Sequence, residues 1–181
     1  MESRRAQLLI ASATMLDPNF ARTVVLIVRD DQTEGSFGLV LNRLTDLTVA
    51  EACGDQIDAA KQVDTSLNQG GPCQGPLTAL HASQQVGGEE VMPGVLFSAE
   101  KQEIESLMWH NATPAKYMAG YAGWAPKQLD AEIDSGAWVI TPALPEHVFE
   151  IRENLWQKLS AWLTLERRVD WQHLPDDPSL N

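Results

Sequence analysis

The sequence predicts an α+β fold in a single domain: a mostly antiparallel β-sheet with helices packed around it. Three observations carry this expectation. The chain has 181 residues, 44% of them hydrophobic, which suits one sizeable core. Its short β-branched runs are joined by connections rich in turn formers, as hairpins require. A few amphipathic helical stretches interrupt these strands instead of alternating strictly with them, which argues against a doubly wound parallel sheet. No repeat, low-complexity tract or linker divides the chain, so 1–181 is read as one domain with an irregular tail from about 167.

The elements follow in order. Leu8 to Leu41 reads as strand, corner and hairpin. Val24-Val25-Leu26-Ile27-Val28 has the composition of a strand buried on both faces, and Phe37 to Leu41 should pair with it antiparallel across Asp30 to Gly35. In the corner, Asp17 as cap and Pro18 at the first helical position predict one helical turn. Thr48 should cap a helix from Val49 toward Ala60, with Glu51 at its positive end. Leu67 to His81 reads as strand, Gly-rich turn, strand, with Gly70-Gly71-Pro72-Cys73-Gln74-Gly75-Pro76 as the turn.

Ser98 is the expected cap of a helix from Ala99 to His110, whose Ile104, Leu107 and Met108 recur at helical spacing. Lys116 to Tyr121 is a predicted strand. Gly123-Trp124-Ala125-Pro126 should then turn into a helix through Leu129 and Ile133, stopped at Gly136. Trp138-Val139-Ile140 forms a further strand. A last helix, about Glu153 to Leu165, places Leu155, Trp156, Leu159, Trp162 and Leu163 on one stripe, and Trp171 lies in the tail beyond it.

Charge and cysteine content exclude several function classes. With 25 acidic and 13 basic residues the net charge is −12, a field that repels phosphate backbones and anionic membranes. Arg4-Arg5 and Arg167-Arg168 are pairs and make no basic stripe. Two cysteines, Cys53 and Cys73, build neither a disulfide framework nor a zinc knuckle. The apolar run Leu8 to Ala11 is too short for a signal-peptide core, and no stretch approaches the roughly 20 residues that span a bilayer. The expected location is the cytoplasm.

Few catalytic constellations can be written. There is no nucleophile elbow, phosphate loop or dinucleotide fingerprint, and His81, His110, His147 and His173 lack metal-ligand spacing. Cys73, on its Gly-rich turn, could pair with His81 on the next strand as thiolate and imidazole, or could be a small filler beneath the turn. Ala119 to Leu129 is the densest candidate site. Its glycines permit close backbone approach, Tyr121 and Trp124 offer stacking faces, and Gln128 stands one turn inside a helix. The same residues could instead form a tight corner plugged by Trp124.

A set of motifs is diagnostic in combination: Leu16-Asp17-Pro18-Asn19-Phe20-Ala21-Arg22-Thr23, Gly38-Leu39-Val40-Leu41-Asn42-Arg43, Gly70-Gly71-Pro72, Leu80-His81, and Gly120-Tyr121-Ala122-Gly123-Trp124 with Gln128-Leu129 and Glu132-Ile133. In that order they resemble the bacterial AlgH/YqgE family. The resemblance implies a coiled, bifurcated β-sheet surrounded by helices. It also implies an indirect regulatory role, since members often carry the label of transcriptional regulator, although no DNA-binding motif comes with it. Leu44 and Cys73 depart from the family pattern, which usually has Pro and commonly Val there. A thiol replaceable by valine is a poor family-wide nucleophile.

Carried onto this chain, the motifs make Asp17, Arg22, Asn42, Gly70, Gly71, Tyr121, Trp124 and Gln128 the expected walls of one cleft. Arg22 would supply a fork for carboxylate or phosphate, Asn42 and Gln128 neutral donors and acceptors, Gly70 and Gly71 close backbone, and Trp124 a stacking face. Alternatively Asp17 and Arg22 pair across one turn and the glycines serve only the backbone. The function expected is a non-catalytic module for a small molecule or protein partner, with no cofactor, no metal, no catalytic residue, and no direct nucleic-acid or membrane partner. The competing expectation is a hydrolase-like or transferase-like enzyme using His81 or Cys73 in the same cleft.

Overall fold

Five successive buried residues, Val24 to Val28, are explained by a strand with apolar layers on both sides. The computed structural model describes residues 3–149 and 154–168. In it β1 (Gln7–Ala11), β2 (Val24–Asp31) and β3 (Gly35–Val40) are antiparallel neighbours. With β10 (Ala122–Trp124) and β11 (Trp138–Pro142) they form a five-stranded sheet of order β10-β3-β2-β1-β11. A second sheet of order β4-β5-β9-β6-β8-β7 contains β4 (Leu44–Thr48), β5 (Ser66–Gln69), β6 (Thr78–His81), β7 (Glu89–Met92), β8 (Val95–Ser98) and β9 (Ala115–Ala119). All pairings are antiparallel except β5 with β9.

Side-chain alternation along β2 divides the core. Val24, Leu26 and Val28 point to the layer between the sheets, where they meet Leu80, Phe97 and Met118. Val25 and Ile27 point the other way, onto Trp124, Leu129 and Trp138 under α3 (Gln128–Asp134). The outer face of the second sheet carries α2 (Lys101–Trp109), with Ile104, Leu107 and Met108 packed against Ala79 and Tyr117. Helix α4 (Pro145–Phe149) and helix α5 (Leu155–Arg168) cover the inter-sheet layer through Val148, Leu155 and Leu159. Trp156 Nε1 donates to the Ala11 carbonyl at 2.7 Å and ties α5 to β1.

Local expectations are met in some places and corrected in others. Thr48 and Glu51 form a reciprocal capping box at the start of α1 (Val49–Cys53). The α-helix stops at Cys53 because Gly54 turns left-handed (φ 52°), and 3₁₀ turns over Gly54–Gln56 and Asp58–Gln62 continue the path. Ser98 is not the cap of α2: Glu100 holds that position, and the Ser98 hydroxyl is buried against His81. Gly123 and Trp124 are strand residues, so the turn into α3 begins only at Ala125. Trp162, expected on the buried stripe of α5, is 45% exposed. The expected helix start at Glu153 and the tail residue Trp171 lie outside the described residues.

Candidate functional site

The two glycine-bearing corners meet backbone to backbone. Strand β9 runs on through Gly120 into β10 and so passes from one sheet to the other. The chain leaving β5 crosses over this junction: Gly70 N–H donates to the Ala119 carbonyl, and Val40 N–H donates to the Gly70 carbonyl, both at 2.8 Å. Beyond it Cys73 and Tyr121 exchange two main-chain hydrogen bonds of 2.9 and 3.0 Å. A Cβ on Gly70 would lie 2.3 Å from the Gly120 carbonyl oxygen, and one on Gly71 2.2 Å from the Tyr121 carbonyl carbon. Side chains are excluded here because two backbones cross at van der Waals distance.

The crossing places Tyr121 on the wall of an open groove of about 740 Å³ that also takes in Phe37, Cys73, Gly123 and Trp124. The Tyr121 ring stacks on Phe37 (centroids 5.1 Å apart, 28° between planes). It also sits against Gly75 and Gly123, where an added Cβ would stand 3.1 and 3.3 Å from ring carbons. Arg5, Arg29, Asp30, Asp31 and Glu34 complete the charged part of the lining. Arg29 places Nε and Nη2 both 2.7 Å from one Glu89 oxygen, and Arg5 reaches the other at 3.2 Å. Asp30 accepts from the Ser36 hydroxyl and the Arg4 amide. The Thr33 hydroxyl, with the amides of Glu34 and Thr33, holds the exposed Asp31 carboxyl below its ordinary value.

Of the residues the sequence singled out, Tyr121 and Trp124 line this groove and Arg22, Asn42, Gly70, Gly71 and Gln128 do not. Trp124 is only 4% exposed and packs with Phe20 and Trp138. Its indole N–H and that of Trp138 both donate to Glu132 Oε2, at 2.9 and 2.8 Å. Gln128 completes that cluster, donating to Glu132 Oε1 and accepting from Ala125 N–H. Asn42 is a backbone bridge, donating to the Arg22 carbonyl and accepting from Val24 N–H. Asp17 does not pair with Arg22: it accepts from Asn19 N–H, and Arg43 fastens the corner through the Pro18 carbonyl. Sequence reasoning missed Phe37, Arg5, Arg29 and Glu34, which no local motif marks because a hairpin and the N-terminal segment bring them in.

Cys73 and His81 are not partners. His81 pairs with Ala115 at one end of β9, whereas Cys73 pairs with Tyr121 beyond the other, about 20 Å of extended strand away. His81 is fully buried, with Nε2 3.0 Å from Ser98 Oγ, and Ser98 Oγ donates to the Gly87 carbonyl at 3.1 Å. That hydroxyl proton is committed, so Nε2 carries the hydrogen and the imidazole donates. The pair braces the loop before β7 and does not activate the serine. Burial lowers the His81 pKa, and the nearby Glu103 charge only partly opposes this.

Below the unfolded value of 6.5 the unfolded chain therefore binds a proton that the folded one refuses, and stability falls with pH until the folded pKa is passed. His81→Gln, which keeps a donor toward Ser98, should lose less stability than the parent between about pH 7 and about pH 5. Urea midpoints at the two values check this; equal losses in both proteins would contradict it.

Among the described residues no group of three His, Cys, Asp or Glu side chains could hold a metal ion, and no helix is long and apolar enough to cross a membrane. The family model described as AlgH-like matches residues 8–167. The chain belongs to the AlgH-like family. It is 36% identical over 159 residues to the UPF0301 protein CT0663 of Chlorobaculum tepidum, covering 84% of this chain and 82% of that one. It is also 36% identical over 152 residues to a UPF0301 protein of Myxococcus xanthus, covering 82% and 83%. The solution structure of AlgH from Pseudomonas aeruginosa superposes with a TM-score of 0.73 at 26% identity, covering 92% of this chain and 94% of that one. Protein DIP2367 of Corynebacterium diphtheriae shares the fold, with a TM-score of 0.71 over 88% and 86% of the two chains. The AlgH-like family is one of uncharacterised function, so the reading of the groove rests on this chain's own geometry.

Proposed function

We propose that this AlgH-like protein is a non-catalytic binding module of the cytoplasm that takes a small ligand or a segment of a protein partner in the Tyr121 groove and acts on regulation indirectly. The observation that carries the reading is the Tyr121 ring, held by Phe37, Gly75 and Gly123 on the wall of an open cleft rimmed by charged side chains. A rigid aromatic face beside fixed polar groups recognises ligands at low entropic cost. The separation of Cys73 from His81 removes the pair on which the thiol mechanism depended. The net charge of −12 argues against direct contact with nucleic acid.

A thermal-stability screen against nucleotides, phosphates and small carboxylates tests the proposal, because a ligand at about 100 times its Kd stabilises the native state by about 2.7 kcal/mol. Tyr121→Ala should abolish the shift while circular dichroism shows a folded protein. Arg22→Ala should leave it unchanged. A shift lost in Arg22→Ala and kept in Tyr121→Ala would move the site to the Asn42 side of the Gly70 crossing.

A further inference from the structure

Among the described residues, the outer edge of β10 carries a donor and an acceptor with no partner. In β3, Leu41 N–H bonds to Val24 on the β2 side, whereas Val40 N–H bonds to Gly70 on the opposite side. Main-chain groups alternate sides along a strand, so Gly38 and Ser36, in step with Val40, face β10. Their opposites Ala122 and Trp124 are thus the hydrogen-bonded pairs, and Gly123, opposite Phe37, aims its N–H and C=O outward. Tyr121 agrees independently: it gives both its main-chain groups to Cys73 on that outer side, and Gly123 is next in step. Gly123 is exposed, and neither of its main-chain groups meets a partner among the described residues. The ladder that Cys73 begins therefore has an open position immediately beyond it, inside the groove.

We propose that the groove takes an extended, basic peptide segment, which adds as a strand to β10 by exchanging two main-chain hydrogen bonds with Gly123. This deepens the binding reading above and rests on it. An apolar side chain of the peptide lies on the Tyr121 ring, and Gly123 presents no Cβ to keep the incoming backbone away. Arg5 and Arg29 are both engaged by Glu89 and Asp30 lies 3.7 Å from Arg4, so among the described residues Asp31 and Glu34 are the groove carboxylates without an ion pair. They stand on the hairpin end of the groove, where a lysine or arginine of the peptide meets them. The acidic field of the whole protein draws such a peptide in.

The test uses the intact protein and a short labelled peptide that alternates lysine and valine, with binding read by fluorescence anisotropy and amide exchange at Gly123 by NMR. Two control peptides carry N-methyl groups on alternate backbone nitrogens, or glutamate in place of lysine. The basic peptide should bind saturably and slow exchange of the Gly123 amide. N-methylation, the acidic peptide and Glu34→Lys should each weaken binding by about tenfold or more. Equal affinity of the N-methylated peptide, or an unprotected Gly123 amide in the saturated complex, overturns strand addition. If small molecules still give a shift that depends on Tyr121, the groove survives that result; if neither peptide nor small molecule binds, both readings fall.

Discussion

Gly120→Ala is expected to destabilise the protein by roughly 3 kcal/mol and to disturb the groove, while Gly136→Ala should cost about 1 kcal/mol. Both glycines sit in the left-handed region, at φ 73° and 78°, so the conformational penalty of a side chain is similar at the two sites. Their surroundings differ. A Cβ at Gly136 meets nothing within 4 Å, whereas at Gly120 it would lie 2.7 Å from the Cys73 carbonyl oxygen and 2.8 Å from that of Gly71. The Cys73 oxygen cannot retreat without breaking the crossing, because it accepts from Tyr121 N–H. Urea unfolding of the two variants beside the parent checks the difference. Equal costs at both positions would show that the crossing yields easily.

Lys116→Met is expected to stabilise the protein near neutral pH by about 2 kcal/mol, an unusual direction for a core substitution. Lys116 is 5% exposed on β9, with Nζ donating to the Leu41 carbonyl at 3.2 Å, and burial pushes its pKa down to about 8 from 10.5. Below pH 8 the folded protein must carry the ammonium in the interior, which costs roughly 3 kcal/mol. Removing the amine also removes its hydrogen bond, worth about 1 kcal/mol, which offsets part of the gain. Between pH 8 and 10.5 the unfolded chain holds the proton more tightly than the folded one, so the parent gains stability as pH rises through this window. The advantage of the methionine variant should therefore shrink across it, vanish before its upper end, and reverse there by about 1 kcal/mol, the worth of the lost hydrogen bond. A stability difference that does not change with pH would mean that Lys116 is solvated in the folded state.

The Thr48 cap, the β2–β3 hairpin and the Ile104-Leu107-Met108 face of α2 were legible because each is encoded in residues close along the chain. The ends of several elements were not. Ser98 has the chemistry of a cap, but its hydroxyl is taken by His81, seventeen positions away, and the helix begins without it. The Gly-rich segments were recognisable as unusual, and their meeting was the expectation on which the site depended. What they build differs from the cleft wall expected: Gly70 and Gly71 are spent on the crossing itself, and Asn42 and Gln128 on internal bridges.

By itself the sequence determined the α+β class, the family and the double burial of β2, since hydrophobic period, turn chemistry and ordered motifs are properties of neighbours along the chain. Only the tertiary structure decided that β9 separates β5 from β6, that Cys73 and His81 stand at opposite ends of it, and that Phe37 lies beneath Tyr121. Strand order and register depend on which distant backbones find each other, and that choice is made by the packing of the whole core.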